Sequence, residues 1–163
     1  MATFYTNVAA NQQSGVNFPA GTSGIALAPT GFNDPVLELG SVDTVIATYT
    51  TVGTEAAADV INIVLLQAGQ FVNPIDSAVV TNGLASTATV SIGDNDPAGA
   101  SATRYSTALN LASATQLAFT GGAAALTPYS VSADCYLQAT LATYATPGTG
   151  KLVTFWVQLA SNR

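Results

Sequence analysis

The strongest constraint on the fold is a strict alternation of apolar and polar residues towards the end of the sequence. The apolar members of the first run are Val131, Ala133, Cys135, Leu137, Ala139 and Leu141. The same period of two returns after a Pro147-Gly148 turn, in residues 153–159. Side chains of a β-strand point alternately to the two faces of a sheet, so each run predicts a strand with one buried face. We expect these two strands to pair as an antiparallel hairpin.

Shorter runs rich in β-branched residues predict further strands upstream. They lie at residues 44–51, 58–66, 71–72, 78–81, 86–92 and 116–120. The pair Asn82-Gly83 favours a tight turn and predicts a second hairpin between two of these strands. Residues 107–114 are the one stretch in which the sequence allows a helix. Strands at this spacing are typical of sandwiches, jelly rolls and barrels. We therefore expect an all-β, jelly-roll-like β-sandwich.

The first 40 residues differ from the rest of the chain. Pro and Gly recur every few residues up to residue 36, and neither a period of 2 nor one of 3.6 persists. The segment still carries apolar side chains that a solvated tail lacks, and the adhesive ones are Phe4, Tyr5, Val8, Phe18 and Phe32. We expect residues 1–40 to form an extended N-terminal arm, and residues 41–163 to form the β-sandwich domain. The arm is expected to lie on its own domain or on a neighbouring subunit, with a flexible leader as the alternative.

The scarcity of charge predicts self-association. Charged residues make up 7% of the 163 residues, whereas hydrophobic residues make up 48%. An average domain carries about 25% charged residues, so much of this surface is expected to be buried between subunits of a homo-oligomer. Three Lys/Arg against nine Asp/Glu give a net charge of -6. Because so few cations are available to neutralise phosphates, we expect no nucleic-acid partner.

Membrane and redox roles are not indicated either. The longest apolar run, residues 60–66, is far shorter than the roughly 18 residues of a membrane-spanning helix. The first residues lack the basic and apolar regions of a signal peptide, so we expect synthesis in a cytoplasm and no membrane partner. The single cysteine, Cys135, falls on the apolar side of the alternating strand. That position favours a buried core residue over a nucleophile or a redox sensor.

Candidate catalytic and metal-binding residues are sparse. The chain has no histidine, and histidine is the commonest general base and metal ligand. The cluster Asp94-Asn95-Asp96 resembles the start of a calcium loop, with Gly99 at its sixth position. However, Tyr105 stands at the twelfth position, where a bidentate Glu is required. We therefore interpret the cluster as a turn in which Asp side chains accept hydrogen bonds from backbone amides.

The remaining charged residues do not form a recognisable site. Acidic residues occur within one region, at Glu38, Asp43, Glu55 and Asp59, but without the spacing of a glycosidase pair. Lys151, the only lysine, follows a turn and is expected to be a solvated charge at the end of a strand. Arg104 has three candidate partners, which are Asp94, Asp96 and Asp134. We expect no catalytic residue, no metal site and no cofactor.

Three segments in the middle of the chain resemble small virion proteins of tailed bacteriophages. They are V-I-N-I-V-L-L-Q-A-G-Q-F-V at residues 60–72, A-T-V-S-I-G-D at residues 88–94, and Arg104-Tyr105. In those proteins a strand leads into an Ala-Gly-x-x-Val turn, a second strand ends in Gly-Asp, and an Arg-Tyr pair follows. The Leu-Pro that usually precedes Ala-Gly is Leu-Gln here. The similarity covers residues 58–120 and, with the compact β-fold and the arm, resembles the capsid decoration (cement) proteins of this group.

This resemblance implies a structural role without catalysis. It implies a virion protein that is assembled in the host cytoplasm and binds the exterior of a phage head, where it bridges subunits of the major capsid protein. The five adhesive arm residues would then contact the capsid or a sister subunit. Decoration proteins by analogy favour a homotrimer, with a dimer as the second choice. A receptor- or carbohydrate-binding module of a head fibre or tail is the alternative function.

Overall fold

The computed structural model describes residues 1–9, 42–84, 87–119, 127–144 and 149–161. Within these ranges the chain forms nine strands and one helical turn at residues 7–9. The strands are β1 (Thr3–Tyr5), β2 (Val42–Thr50), β3 (Val60–Leu66), β4 (Gln70–Asn82), β5 (Ala88–Asp94), β6 (Ser101–Asn110), β7 (Ala114–Ala118), β8 (Cys135–Tyr144) and β9 (Leu152–Ser161). In the described ranges, no helix has the length and apolar character to cross a membrane.

The strands form two sheets in the arrangement of a jelly roll. One sheet has the order β1-β3-β8-β5-β6, and the other has the order β2-β9-β4-β7. Neighbouring strands are antiparallel except β1 and β3, which are parallel. From β2 to β5 the chain passes from one sheet to the other at each connection. The predicted all-β, jelly-roll-like sandwich is therefore confirmed.

Both predicted hairpins are wrong. Strands β4 and β5 flank Asn82-Gly83 but belong to different sheets, and the same is true of β8 and β9. Gly83 has a φ of 94°, and its added Cβ would lie 3.1 Å from the Ala112 carbonyl oxygen, so glycine allows the chain to cross between the sheets there. Alternation determines which face of a strand is buried, but it contains no information about the strand's partner.

Two further local details differ from what the sequence suggests. Residues 107–114, where the sequence allows a helix, contain none, because β6 continues to Asn110 and β7 begins at Ala114. The short strands predicted at 71–72 and 78–81 are both parts of β4. Pro74 does not end this strand, because it lies in an irregular stretch where the register with β9 shifts between Asn73 and Ala78. A proline in such a bulge removes no hydrogen bond from the sheet.

The core fills the space between the two sheets. Alternate residues of β8 and β9 are buried there, as the period of two predicts, and Cys135 is only 3% exposed. The largest completely buried side chains include Tyr105, Phe119 and Phe155. Burying a side chain of this size contributes about 1.5–3 kcal/mol before its lost conformational entropy is subtracted. Apolar burial between the sheets is therefore the main stabilising term of the domain.

The first nine residues are part of the sandwich. Strand β1 extends the five-stranded sheet by pairing with β3, and Val8 lies in the core with no exposed surface. The Asn7 Oδ1 atom accepts a hydrogen bond of 2.8 Å from the Thr48 backbone N–H of β2. These residues thus connect the edges of both sheets. Strand β1 also covers the edge of β3, which would otherwise be open. The predicted arm lies on its own domain over these residues, whereas its predicted end at residue 40 lies outside the described residues.

Substitution of Gly93 tests how closely β5 and β6 are packed. A Cβ added there would lie 1.8 Å from the Ser101 carbonyl oxygen and 2.5 Å from the Ala102 carbonyl carbon, both of which are backbone atoms. We expect Gly93→Ala to lower the free energy of unfolding, measured with urea, by about 3 kcal/mol or more. Gly99→Ala is the matched control, because its Cβ would meet no atom within 4 Å. We expect the control to change stability by less than about 1 kcal/mol, and equal losses in the two variants would contradict this packing.

Candidate functional site

A polar cluster closes one end of the five-stranded sheet. Asp94, the last residue of β5, lies beside Arg104 of β6, and the Arg104 Nε to Asp94 Oδ2 distance is 2.6 Å. Both side chains are largely buried, with 14% exposure for Arg104 and none for Asp94. The guanidinium also donates to the Gly99 carbonyl oxygen. Of the three partners that the sequence allows for Arg104, the structure selects Asp94.

The ring of Tyr129 covers the guanidinium group of Arg104. The guanidinium carbon of Arg104 lies 3.5 Å from the centroid of the Tyr129 ring, which is a cation–π contact. The Tyr129 hydroxyl donates a hydrogen bond of 2.8 Å to Asp96 Oδ2, and this bond raises the pKa of the phenol. A residue far along the chain is thereby fixed to the loop that follows β5.

Asp96 is the centre of this arrangement. Its carboxylate accepts hydrogen bonds from the Ser132 backbone N–H at 2.7 Å, from the Ser132 hydroxyl at 2.5 Å and from the Ala98 N–H at 3.1 Å. Burial opposes ionisation of this group, but the hydrogen bonds from Ser132, Ala98 and Tyr129 outweigh it and lower the pKa of Asp96. We refer to Asp94, Asp96, Arg104, Tyr129 and Ser132 as the Asp96 cluster.

The Asp96 cluster has the chemistry of a structural lock. Asp94 Oδ1 accepts from the Asp96 N–H at 3.2 Å, and Asp96 accepts from Ala98 in the same way, so the segment forms the turn that we predicted. All four carboxylate oxygens accept hydrogen bonds from protein groups. Among the described residues, no three Cys, Asp or Glu side chains are grouped as metal ligands. Asp134, which the sequence also allowed as a partner of Arg104, instead accepts a hydrogen bond of 3.0 Å from the Ala68 N–H.

Two more acidic residues, Glu55 and Asp59, accept hydrogen bonds from backbone groups of the loop between β2 and β3. Glu55 is buried and accepts from the Tyr49 hydroxyl, the Val52 N–H at 2.6 Å and the Gly53 N–H at 2.9 Å. Burial opposes ionisation, yet these hydrogen bonds lower the pKa of Glu55. Asp59 accepts from the Ala56 N–H at 2.9 Å. In the sequence, Glu55 and Asp59 occur in one region with Glu38 and Asp43. Glu38 lies outside the described residues, and Asp43 lies in β2.

Three of the five predicted arm contacts lie on the sandwich itself. Phe4 packs against Tyr49 with ring centroids 5.9 Å apart, and Tyr5 meets Tyr136 edge-on at 6.1 Å. Val8 is buried in the core. The other two, Phe18 and Phe32, lie outside the described residues. Contact of these five side chains with a capsid or a sister subunit stays a prediction.

The outward side of the four-stranded sheet is a second candidate surface, which our reading of the sequence missed. We call it the outer face, meaning the outward side chains of β2, β9, β4 and β7. The pairing of the strands places Ile46, Trp156, Ala78 and Ala118 in one row across all four strands. Trp156 is 48% exposed in the middle of this row. The sequence contained a signal for this surface. On the side of β9 that alternation assigns to solvent, it has this tryptophan and no charged residue.

Removing the Asp96 carboxylate is expected to weaken the fold in a pH-dependent way. We expect Asp96→Asn to lower the unfolding free energy at pH 7 by about 1–3 kcal/mol, because the amide nitrogen cannot accept the bonds it replaces. The ionised carboxylate stabilises the native state above the ordinary aspartate pKa, and this contribution is lost as the pH falls towards the lowered native value. The difference between wild type and variant should therefore narrow below about pH 4.

Asp134→Asn is the control for the loss of one negative charge, because Asp134 is exposed and accepts a single hydrogen bond from Ala68. We expect this variant to lose less than about 1 kcal/mol. Urea titrations of the three proteins from pH 7 to pH 2 make the comparison. A constant difference between wild type and Asp96→Asn over the whole range would contradict the role of the ionised carboxylate.

Cys135 is expected to be chemically inert in the native protein. Burial raises the pKa of its thiol to about 12, so both access and thiolate formation are suppressed. We expect a small alkylating reagent at pH 8 to react at least about 100-fold more slowly with the native protein than with the urea-unfolded protein. Mass spectrometry of the labelled protein measures both rates. Similar rates would show that the thiol is accessible.

Comparison with known proteins places this architecture among phage capsid structures. No protein-family model matches the chain, and the curated proteins contain no match either. A chain in the capsid of Ralstonia phage GP4 has the same fold with a TM-score of 0.68 and 15% identity, over 99% of each chain. A chain in the capsid asymmetric unit of cyanophage Pam1 has a TM-score of 0.55 and 20% identity, and the match covers 90% of this chain and 95% of that chain. A chain in the acidic stable capsid of Helicobacter pylori bacteriophage KHP30 has a TM-score of 0.51 and 16% identity, and the match covers 75% of this chain and 89% of that chain. At these identities the likeness establishes a shared fold, so the protein has the jelly-roll sandwich that also occurs in these capsids.

Proposed function

We propose that the protein is a structural component of a phage virion, namely a decoration protein that binds the exterior of the head and stabilises it by bridging major capsid subunits. The observation that carries this proposal is the match with a chain of the phage GP4 capsid, which covers 99% of both chains. Two further capsid chains share the fold.

The chemistry of the described residues supports a role in assembly rather than in catalysis. The buried acids Glu55, Asp94 and Asp96 all accept hydrogen bonds from the protein's own groups. Their lone pairs are used in holding loops and strand ends, so they are poorly suited to take protons from a substrate. The thiol of Cys135 is buried and kept protonated. These features describe a rigid building block that binds other proteins through its surface.

The N-terminal segment provides a physical mechanism for bridging. Residues 1–9 are fixed to the sandwich by β1 and by Val8, so they anchor whatever follows them. We propose that the arm reaches a neighbouring subunit beyond this anchor and that Phe18 and Phe32 bind there. Each buried phenylalanine contributes about 1.5–3 kcal/mol, which has to exceed the entropy lost when the arm becomes ordered. The copies that contribute arms are proposed to form a homotrimer, with a dimer as the second choice.

Copy number and position in the particle test the proposed function. We expect quantitative mass spectrometry of purified particles of the phage that encodes this sequence to give hundreds of copies per particle. We also expect a reconstruction of the particle to place the protein on the outside of the head. A dozen or fewer copies on a fibre or tail would instead indicate the receptor- or carbohydrate-binding alternative. Absence from the particle would refute a virion role.

Substitutions in the arm test the bridging mechanism separately. We expect the double variant Phe18→Ser, Phe32→Ser to keep the native unfolding free energy and to bind particles stripped of the protein at least about 10-fold more weakly. Val8→Ser is the control for the stability measurement, because it replaces an apolar side chain that is buried in the core. We expect it to lower the unfolding free energy by about 2 kcal/mol or more. Unchanged particle binding by the double variant would show that the arm is a passive leader.

A further inference from the structure

The outer face combines exposed apolar side chains with very little charge. Along the regularly paired segments of its strands, the described outward positions are uncharged, and the polar ones carry Thr, Asn or Gln. Asp76, in the irregular part of β4, is the exposed charged residue that the structure describes in these strands. The exposed large hydrophobic residues of the described chain, apart from Met1, lie on this face or at one end of it. They are Trp156 and Leu152 on β9, Val52 just after β2, and Ile75 in the irregular part of β4. Apolar groups collected on one side of a domain are typical of an interaction surface.

Two opposite charges border the outer face. Lys151 immediately precedes β9 at the end where Val52 and Leu152 are exposed. Asp76 is exposed beside Ile75 in the irregular part of β4, which lies opposite the stretch of β9 between Trp156 and Gln158. Counted along β9 from Lys151 to Val157, the two charges are roughly 20 Å apart. The positive charge of one molecule therefore complements the negative charge of another.

We propose that the outer face binds a second copy of this chain, with Lys151 of one copy next to Asp76 of the other. The net charge of -6 makes two copies repel each other. The outer face is a large area with little charge, on which two copies can approach without this repulsion. Pairing of Lys151 of one copy with Asp76 of the other then adds attraction and defines the direction of docking. This inference does not rest on the virion role and holds for the isolated protein.

The size of the outer face agrees with such a contact. Four strands about 4.8 Å apart and about nine residues long give roughly 550 Å² before side-chain relief is counted. Specific interfaces bury about 600–1,000 Å² on each partner. The exposed Val52 extends the face at one end, and the exposed Ile75 adds apolar area beside Trp156. Trp156 lies centrally, and tryptophans at the centre of an interface contribute disproportionately to affinity. It is also the only tryptophan of the chain, so its fluorescence reports directly on this face.

Sedimentation velocity of the full chain over a range of concentrations tests the proposal. We expect a species of two or more copies, with the Trp156 emission shifting to longer wavelength as the protein is diluted to the monomer. Trp156→Lys, and Ala118→Lys as a variant that keeps the tryptophan, should each raise the dissociation constant by at least about 10-fold. Ala142→Lys is the matched control, because it places the same charge at an exposed position of β8 in the other sheet. We expect the control to associate like wild type.

Charge exchange tests the direction of docking. Asp76→Lys and Lys151→Asp should each weaken association, and the double variant should regain affinity because the opposite charges are restored in exchanged positions. Far-ultraviolet circular dichroism of every variant verifies that the fold is retained. A monomer at all concentrations would overturn the proposal. Association that survives Trp156→Lys and Ala118→Lys would overturn it too, since the copies would then meet through another surface.

Discussion

The structure depends on the burial of one apolar face of each sheet against the other. Neither sheet is stable alone, because the apolar sides of β8 and β9 would then be exposed to water. Since β8 lies within one sheet and β9 within the other, residues that are close in sequence contribute to opposite walls of the same core. Other features of the molecule, including its loops and charged groups, are arranged around this two-layered core.

Charge in this protein is used mainly to hold segments together. The Asp96 cluster joins the loop after β5 to β6 and to the residues that precede β8. Glu55 does the same for the loop between β2 and β3. Because these carboxylates are satisfied by backbone N–H groups, hydroxyls and one arginine, they stabilise irregular segments that the sheets do not include. Few charges then remain for the surface, and Asp76 is the exposed charge that the structure describes within the strands of the outer face.

The sequence predicts the faces of the strands better than their partners. Period-two alternation correctly gives the buried sides of β8 and β9 and the position of Cys135, because local geometry alone decides them. It fails for both hairpins, because pairing across the sandwich depends on residues far apart in the chain. The same limit applies to Arg104, for which three acids were possible and Asp94 proved correct. The outer face was missed because it arises only when β2, β9, β4 and β7 are placed side by side.

The position of β9 has a consequence for how the protein is made. Strand β9 lies between β2 and β4, so it is an interior strand of the four-stranded sheet although it comes last in sequence among the described strands. During synthesis β2 and β4 emerge from the ribosome long before their shared neighbour. The four-stranded sheet therefore cannot close until translation has passed β9, and folding on the ribosome cannot proceed strand by strand. In the meantime β2 and β4 of the nascent chain have exposed edges at which other copies can pair.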